Sequence, residues 1–233
     1  MRVIVGLIGV KGCGKDTAAQ PLVQACGFQR IGFADALYRE ATQAFGVEVA
    51  SFETRATKEL AQPHLALKYC KDPLYVRCVL AHLGFLGADA DVLEQQMAVP
   101  RSPRVTLQCW GTEYRRRGFP GVHVGEDSYW LDTVRRVMQA QPERSFIVTD
   151  VRFLTEYRFI RECHGTLVRV RRPALEARAA LERARNGTAA HPSETELLDI
   201  VVDAEVQNTE GQPSCLIDAM LELHASLAPG QPA

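Results

Sequence analysis

Residues 9–17 read GVKGCGKDT and follow directly on the apolar run at 3–8. The spacing of Gly9, Gly14 and Lys15 meets the pattern G-x-x-x-x-G-K, with a buried-type strand before it and a helix-like stretch after it. Few local patterns constrain a fold so tightly. Glycines at 9, 12 and 14 let the chain take positive φ and approach a ligand closely, so that successive N–H groups turn inward around a phosphate. A helix beginning near Lys15 adds the positive end of its dipole. Lys15 supplies a mobile ammonium for β- and γ-phosphates, and Lys11 and Cys13 lie on the same loop. The expected donor-phosphate set is therefore Gly9, Lys11, Gly12, Cys13, Gly14, Lys15, Asp16 and Thr17.

One position departs from the general pattern. Asp16 stands where a Ser or Thr usually follows the lysine, and Thr17 comes next, placed to offer its hydroxyl to an α-phosphate. Two readings of Asp16 stand open. A carboxylate can serve Mg2+, directly or through water, because that ion prefers hard oxygen ligands. It can equally cap the helix N-terminus, where negative charge is favourable.

A chain of 233 residues with 46% hydrophobic content suits one α/β domain with a substantial core. Its formal net charge of −1 gives no global basic signal for nucleic acid or an anionic membrane. The seven cysteines form no C-x-x-C pair and imply reduced thiols in a cytoplasmic protein. No apolar run is long enough for a membrane span.

The expected element order is a strand at 3–8, a helix at 15–26 containing Pro21, a strand at 28–33 and a helix at 34–45. Residues 47–103 read as a helical insertion, with helical pieces near 52–61, 74–86 and 89–98. Residues 104–110 fit either a strand or a helix start. A helix is expected at 129–139, strands at 145–149 and 166–170, and helices at 154–163 and 174–186. A strand at 200–206 and a helix at 215–227 complete the chain. Strands alternating with helices imply a parallel sheet covered on both faces. The expected organisation is a single domain over 1–233, with the 47–103 insertion on the acceptor side and a lid at 171–194.

Three further segments carry chemistry. SFIVTDVRF (145–153) brings Asp150 to the end of a parallel strand, where open α/β sheets bind ligands. Asp150 suits a magnesium water shell or capping of the next helix, and Arg152 is within reach of a phosphate. SPRVTLQCWGTEYRRRG (102–118) combines Arg104, Gln108, Trp110, Gly111, Thr112, Glu113 and Arg115. Arginine forks suit a phosphate monoester, and Gln or Glu suits a base edge. The third, residues 168–194, holds Arg169, Arg171, Arg172, Arg178, Arg183 and Arg185. One to three of these are expected to neutralise a transferring phosphoryl group, and the rest to be solvated.

Together these pieces resemble the bacteriophage-type deoxynucleoside monophosphate kinases of the P-loop superfamily. GCGKDT, GFADALYRE (32–40), FETRATKE (52–59), SPRVTLQCWGTEYRR (102–116), VTDVRFLTEYRFIRECHGTLVRVRRP (148–173), HPSETEL (191–197) and DAEVQN (203–208) follow in that family's order. Residues 60–101 lie outside the likeness. Tyr38 stands where the family usually has a lysine, and Thr155 where it has an asparagine. The resemblance implies a P-loop NTPase-like fold with an NMP-kinase-like insertion and lid. It implies transfer of the ATP γ-phosphate to a deoxynucleoside monophosphate, with Mg2+ as cofactor and small-molecule nucleotides as partners. It also implies a homodimer in the cytoplasm, which is the host's if the chain is phage-encoded. Lys15, Asp150, Arg152 and Arg172 are the expected catalytic residues, and Asp16 and Asp150 the expected metal ligands. Asp35, Arg39 and Lys58 join the 104–115 segment on the acceptor side.

The Gly-Lys-Asp loop is also similar to that of phosphomevalonate kinase, and a kinase of hydroxymethylated nucleotides or DNA is a third reading. A switch or motor ATPase is a reading from another class. An N-K-x-D motif, which a GTPase would need, is absent, and Val151 rather than Glu follows Asp150.

Overall fold

In the computed structural model the described residues are 2–54, 56–186, 196–209 and 212–227, with backbone alone over 182–186. The chain forms two compact units, one of Met1–Phe33 with Val134–Ala233 and the other of Ala34–Thr133.

The first unit is built on a five-stranded sheet. Its strands are β1 (Ile4–Ile8), β2 (Gln29–Ile31), β5 (Phe146–Val148), β6 (Thr166–Arg171) and β7 (Ala204–Gln207), in the order β2-β5-β1-β6-β7. Every pairing is parallel. β1 is central, with Val5 opposite Ile147 on one side and Thr166 on the other. All five of its residues are buried, as expected of a parallel strand covered on both faces. Val5 and Leu7 pack with Ala18 and Leu22 of helix α1 (Lys15–Ala25) and with Leu216 and Met220 of the final helix, α10 (Pro213–Leu227). On the other face Gly6 makes room for helix α8 (Leu154–Glu162), since a Cβ there would lie 3.1 Å from the Ile160 side chain. The expected α/β class, a parallel sheet between helical layers, is the architecture observed.

The strand order marks where a sheet of this kind opens a crevice. From β1 the chain crosses towards β2, whereas from β6 it continues outward to β7. Adjacent strands whose connections part in this way open a crevice at their carboxyl ends. The loop at 9–14 leaves β1 at that point.

The second unit is helical. It holds α2 (Ala34–Phe45), the short α3 (Ala50–Glu53), α4 (Pro73–His82), α5 (Ala90–Ala98) and α6 (Pro103–Gln108). α6 runs into a nine-residue π-helix, Cys109–Arg117. A small hairpin of β3 (Gly118–Phe119) and β4 (His123–Val124) follows, and then α7 (Tyr129–Ala140), whose first residues belong to this unit. Gly118 ends the π-helix at φ 66°, where a Cβ would collide with the His123 carbonyl, so only glycine fits. Asp72 caps α4, its Oδ1 accepting from the Leu74 and Tyr75 N–H groups at 2.9 and 3.0 Å.

Four expectations change. The open choice at 104–110 resolves as helix, because Ser102 caps it, accepting from the Val105 N–H at 3.3 Å, and Pro103 opens its first turn. Helix 52–61 shrinks to Ala50–Glu53, and turns follow. The last strand starts at Ala204 rather than 200, because the carbonyls of Leu198 and Ile200 instead accept from the Arg169 guanidinium. The β3–β4 hairpin had no signal. Pro21 lies within α1 as expected.

Candidate phosphate-loop site

The loop after β1 has the backbone its glycines foretell. Gly9, Gly12 and Gly14 have φ of 154°, 79° and 103°. At Gly9 a Cβ would come within 2.5 Å of the Val170 carbonyl oxygen and 2.7 Å of the Cys13 sulfur. The thiol of Cys13 is fully buried beneath the loop, and burial raises its pKa. It therefore packs as a small apolar side chain.

Lys15 is the first residue of α1, and Gly14 is its N-cap. The capping reading of Asp16 is thereby narrowed. Asp16 sits in the first turn, where its charge suits the dipole, but it is not the cap. The Lys15 ammonium folds back on its own loop, donating to the Gly9 carbonyl at 2.6 Å and the Val10 carbonyl at 3.2 Å. Burial is the main cause lowering its pKa from 10.5. Cys13, Asp16 and Asp150 act in the opposite sense, and Arg152 adds to the lowering. These groups share one electrostatic neighbourhood.

Asp150 follows β5, and its Oδ1 accepts from the Phe33 N–H at 2.9 Å, tying the end of β5 to the chain leaving β2. Glu156 holds the turn between β5 and α8. Its Oε2 accepts from the Arg152 and Phe153 N–H groups at 2.7 and 3.1 Å, and the side chain is buried. Glu156 was not singled out in the sequence, although its position, three residues into the helix, is that of a capping-box acid.

The arginines at 168–194 divide by their partners. Arg169 donates to the carbonyls of Leu197, Leu198 and Ile200 and so fastens the segment that returns to β7. Arg171 bridges Glu176 and Glu205 at 2.8 and 3.1 Å. Arg172 precedes α9 (Pro173–Asn186), and its N–H is bonded by Glu176. Side chains of Arg183 and Arg185, and the whole of His191, Ser193 and Glu194, lie outside the described residues, as does 187–194 of the expected lid.

In the second unit the acceptor-side residues are spread over α2, the α3–α6 region and the π-helix. Trp110 is 1% exposed and packs on Tyr75, with ring centroids 4.4 Å apart. Its indole N–H donates to Glu40 Oε2 at 3.0 Å. Arg115 Nε donates to the same oxygen at 2.9 Å, and the Tyr129 hydroxyl donates to Glu40 Oε1 at 2.7 Å. The Arg115 guanidinium also lies over the rings of Trp110, Tyr114 and Tyr129. Trp110 is thus a core side chain and Arg115 belongs to a Glu40-centred network. Glu40 was missed because nothing within α2 marks it.

Arg104 pairs with Glu59 at 2.5 Å, and Lys58 donates to the Tyr38 hydroxyl at 2.8 Å. Asp35 and Arg39 are exposed on α2. Gly111 and Thr112 are buried in the π-helix, whereas Gln108 is half-buried. Glu113 pairs with Arg117 at 3.4 Å.

The fold, the glycine-rich loop on its central strand, and the acid ending the neighbouring strand define a phosphate-loop protein of the α/β class. No family model matches the chain. It is 28% identical over 204 residues to a mimivirus protein (Acanthamoeba polyphaga mimivirus) named "Putative deoxynucleotide monophosphate kinase", a match spanning 85% of this chain and 83% of that one. The chain is a homologue of that protein, and the resemblance drawn from its motifs agrees with it. Dephospho-CoA kinase from Campylobacter jejuni covers 98% of the chain at 13% identity and a TM-score of 0.45. TT1252 from Thermus thermophilus covers 98% at 18% identity and a TM-score of 0.44. At these scores the fold assignment rests on the chain's own strand order. No helix among the described residues is long and apolar enough to cross a membrane.

Proposed function

We propose that this protein transfers the γ-phosphate of ATP to a deoxynucleoside 5′-monophosphate, giving ADP and the deoxynucleoside diphosphate. The observation that carries the donor half is the loop itself, where Lys15 and the positive-φ glycines stand at the switch point of the sheet beside Asp150. The acceptor half is supported by the homologue's name. Trp110 lends it no support, because a tryptophan 1% exposed does not stack on a base.

The loop amides and the α1 dipole hold the donor phosphates, and Lys15 leaves the Gly9 and Val10 carbonyls to meet the β- and γ-oxygens. Arg152 and Arg172 balance the charge that develops on the phosphoryl group. No strong base is needed, since the acceptor phosphate oxygen is already anionic at neutral pH. Asp35, Arg39, Lys58, Arg104, Gln108 and Arg115 are the candidates for holding the acceptor, with Gly111, Thr112 and Glu113 supplying backbone or support. Asp16 and Asp150 fit Mg2+ as a pair of carboxylates, the number that ion takes when phosphates and water complete its shell. Bound there, the ion would neutralise charge on the β- and γ-oxygens. A lid within 171–194 would exclude water that otherwise hydrolyses ATP.

The test is a coupled assay of ADP formation across the four common deoxynucleoside monophosphates, hydroxymethylated analogues and phosphomevalonate. Activity with phosphomevalonate alone, or ATP hydrolysis with no transfer to any acceptor, would replace this reading.

A further inference from the structure

The residue just past the final strand reaches back across almost the whole chain. Asn208 follows β7, and its backbone N–H donates to the Arg171 carbonyl at 2.8 Å, which anchors it beside the end of β6. Its side-chain Nδ2 donates to the Cys13 carbonyl of the phosphate loop at 2.7 Å. Because a carbonyl can only accept, the partner reveals which end of the amide faces the loop.

That bond sets the orientation of a peptide plane. In a trans peptide the C=O and the following N–H point in opposite directions. Holding the Cys13 carbonyl outward therefore holds the Gly14 N–H inward, and inward N–H groups are what make such a loop an anion cradle. Gly14 is fitted to the same contact, because a Cβ there would overlap the Asn208 amide nitrogen. Lys15 restrains the opposite limb of the loop through the Gly9 and Val10 carbonyls, but it must let go to reach a phosphate.

We propose that Asn208 is a positioning residue for the donor site, presetting the loop amides for polyphosphate through the Cys13 carbonyl. The proposal rests on the phosphate-loop reading of Gly9–Thr17 and does not depend on which acceptor is used. A neutral hydrogen bond of this kind is worth roughly a factor of 3–10 in affinity.

Two variants of the full chain test it, Asn208→Ala and the near-isosteric, uncharged Asn208→Leu. ADP affinity is measured by calorimetry, and KM for ATP and for the acceptor by the coupled assay. Asn208→Ala is expected to weaken ADP binding and raise the KM for ATP by about threefold to tenfold, with the acceptor KM within twofold. Asn208→Leu keeps the bulk but has no donor for the carbonyl, and its loss should match that of Ala. A residue that only filled space would instead leave Leu close to wild type. That pattern, ADP affinity within twofold of wild type in both variants, or equal losses for ATP and acceptor, would overturn the proposal. Should Ala unfold, the bulk-conserving Leu variant decides it through ADP affinity. Wild-type protein that binds no ADP would instead remove the donor-site reading itself.

Discussion

Glu40 is the residue whose replacement should do most damage for its size. Its two oxygens accept from Trp110, Arg115 and Tyr129 at 3.0, 2.9 and 2.7 Å, joining α2, the π-helix and the start of α7. Glu40→Ala strands all three donors. The Trp110 N–H lies in a fully buried ring, and an unmet donor there costs about 1–3 kcal/mol. Arg115 loses a charged partner when its side chain is only 20% exposed, and the Glu40 side chain is 19% exposed. That loss adds roughly 1–2 kcal/mol after allowing for solvent, and the Tyr129 hydroxyl about 1 more. The three share one acceptor group and will not add fully, so the expected cost is about 3–5 kcal/mol. Against a total stability of about 5–15 kcal/mol this is severe. For a chain of this length it corresponds to a fall in Tm of about 6–20 °C. Both tryptophans, Trp110 and Trp130, belong to the Ala34–Thr133 unit. Intrinsic fluorescence during a thermal ramp therefore reports the unit that Glu40 serves. Glu40→Gln, which keeps one acceptor oxygen, should fall between Ala and wild type. A shift under about 2 °C for Glu40→Ala, or no difference between Gln and Ala, would refute the network as the unit's organising contact.

The other predictions concern the two ends of the proposed reaction. Lys15→Ala should abolish transfer with the fold intact by circular dichroism, and a retained kcat would remove Lys15 from the donor site. Arg104→Ala should raise the KM for the acceptor far more than that for ATP; a change in the ATP value alone would rule out an acceptor-phosphate role. Glu176 has its carboxyl held below its ordinary 4.5, first by the hydrogen bond from Arg171 and against the effect of burial. A depressed carboxylate stabilises the fold above its unfolded pKa, and the contribution is lost as pH falls through the folded one. Glu176→Gln should therefore flatten the acid limb of an unfolding curve below about pH 4.5 while changing its shape little near neutrality. An unaltered acid limb would show that the pair does not secure the start of α9.

What the sequence disclosed depended on distance along the chain. The phosphate loop was legible because its requirements are local: a strand, three glycines forced to positive φ and a lysine at the head of a helix all fall within fifteen residues or so. The alternation of strands and helices was legible for the same reason, down to the acid at the end of β5. Glu40 was not, because its partners lie 70, 75 and 89 residues away. Asn208 is 195 residues from Cys13 and acts through an amide that any surface asparagine also carries. Trp110 was misjudged by its neighbours. An aromatic among arginines reads alike whether the arginines reach for a ligand or, as Arg115 does, lie over aromatic rings.

Arginines sort the same way once their donors are assigned, and the sorting bears on how the donor site is stabilised. Arg161, Arg169 and Arg171 are engaged by carboxylates or carbonyls that fix β6, β7 and the segments around them. Arg152 is different. Its side chain is exposed, its backbone N–H donates to Glu156, and its field acts on Lys15 in the same sense as burial. Burial is the main cause of the depressed pKa of Lys15, and repulsion from Arg152 adds a smaller part to it. A structural arginine would relieve that repulsion with a partner of its own, as Arg171 does with Glu176. In the proposed function a polyphosphate would relieve it instead, drawing Lys15 off the Gly9 and Val10 carbonyls and restoring its proton affinity on binding. The free loop is thus held with its amides preset and its charges poorly satisfied, the balance expected of a site whose stabilising partner is the ligand.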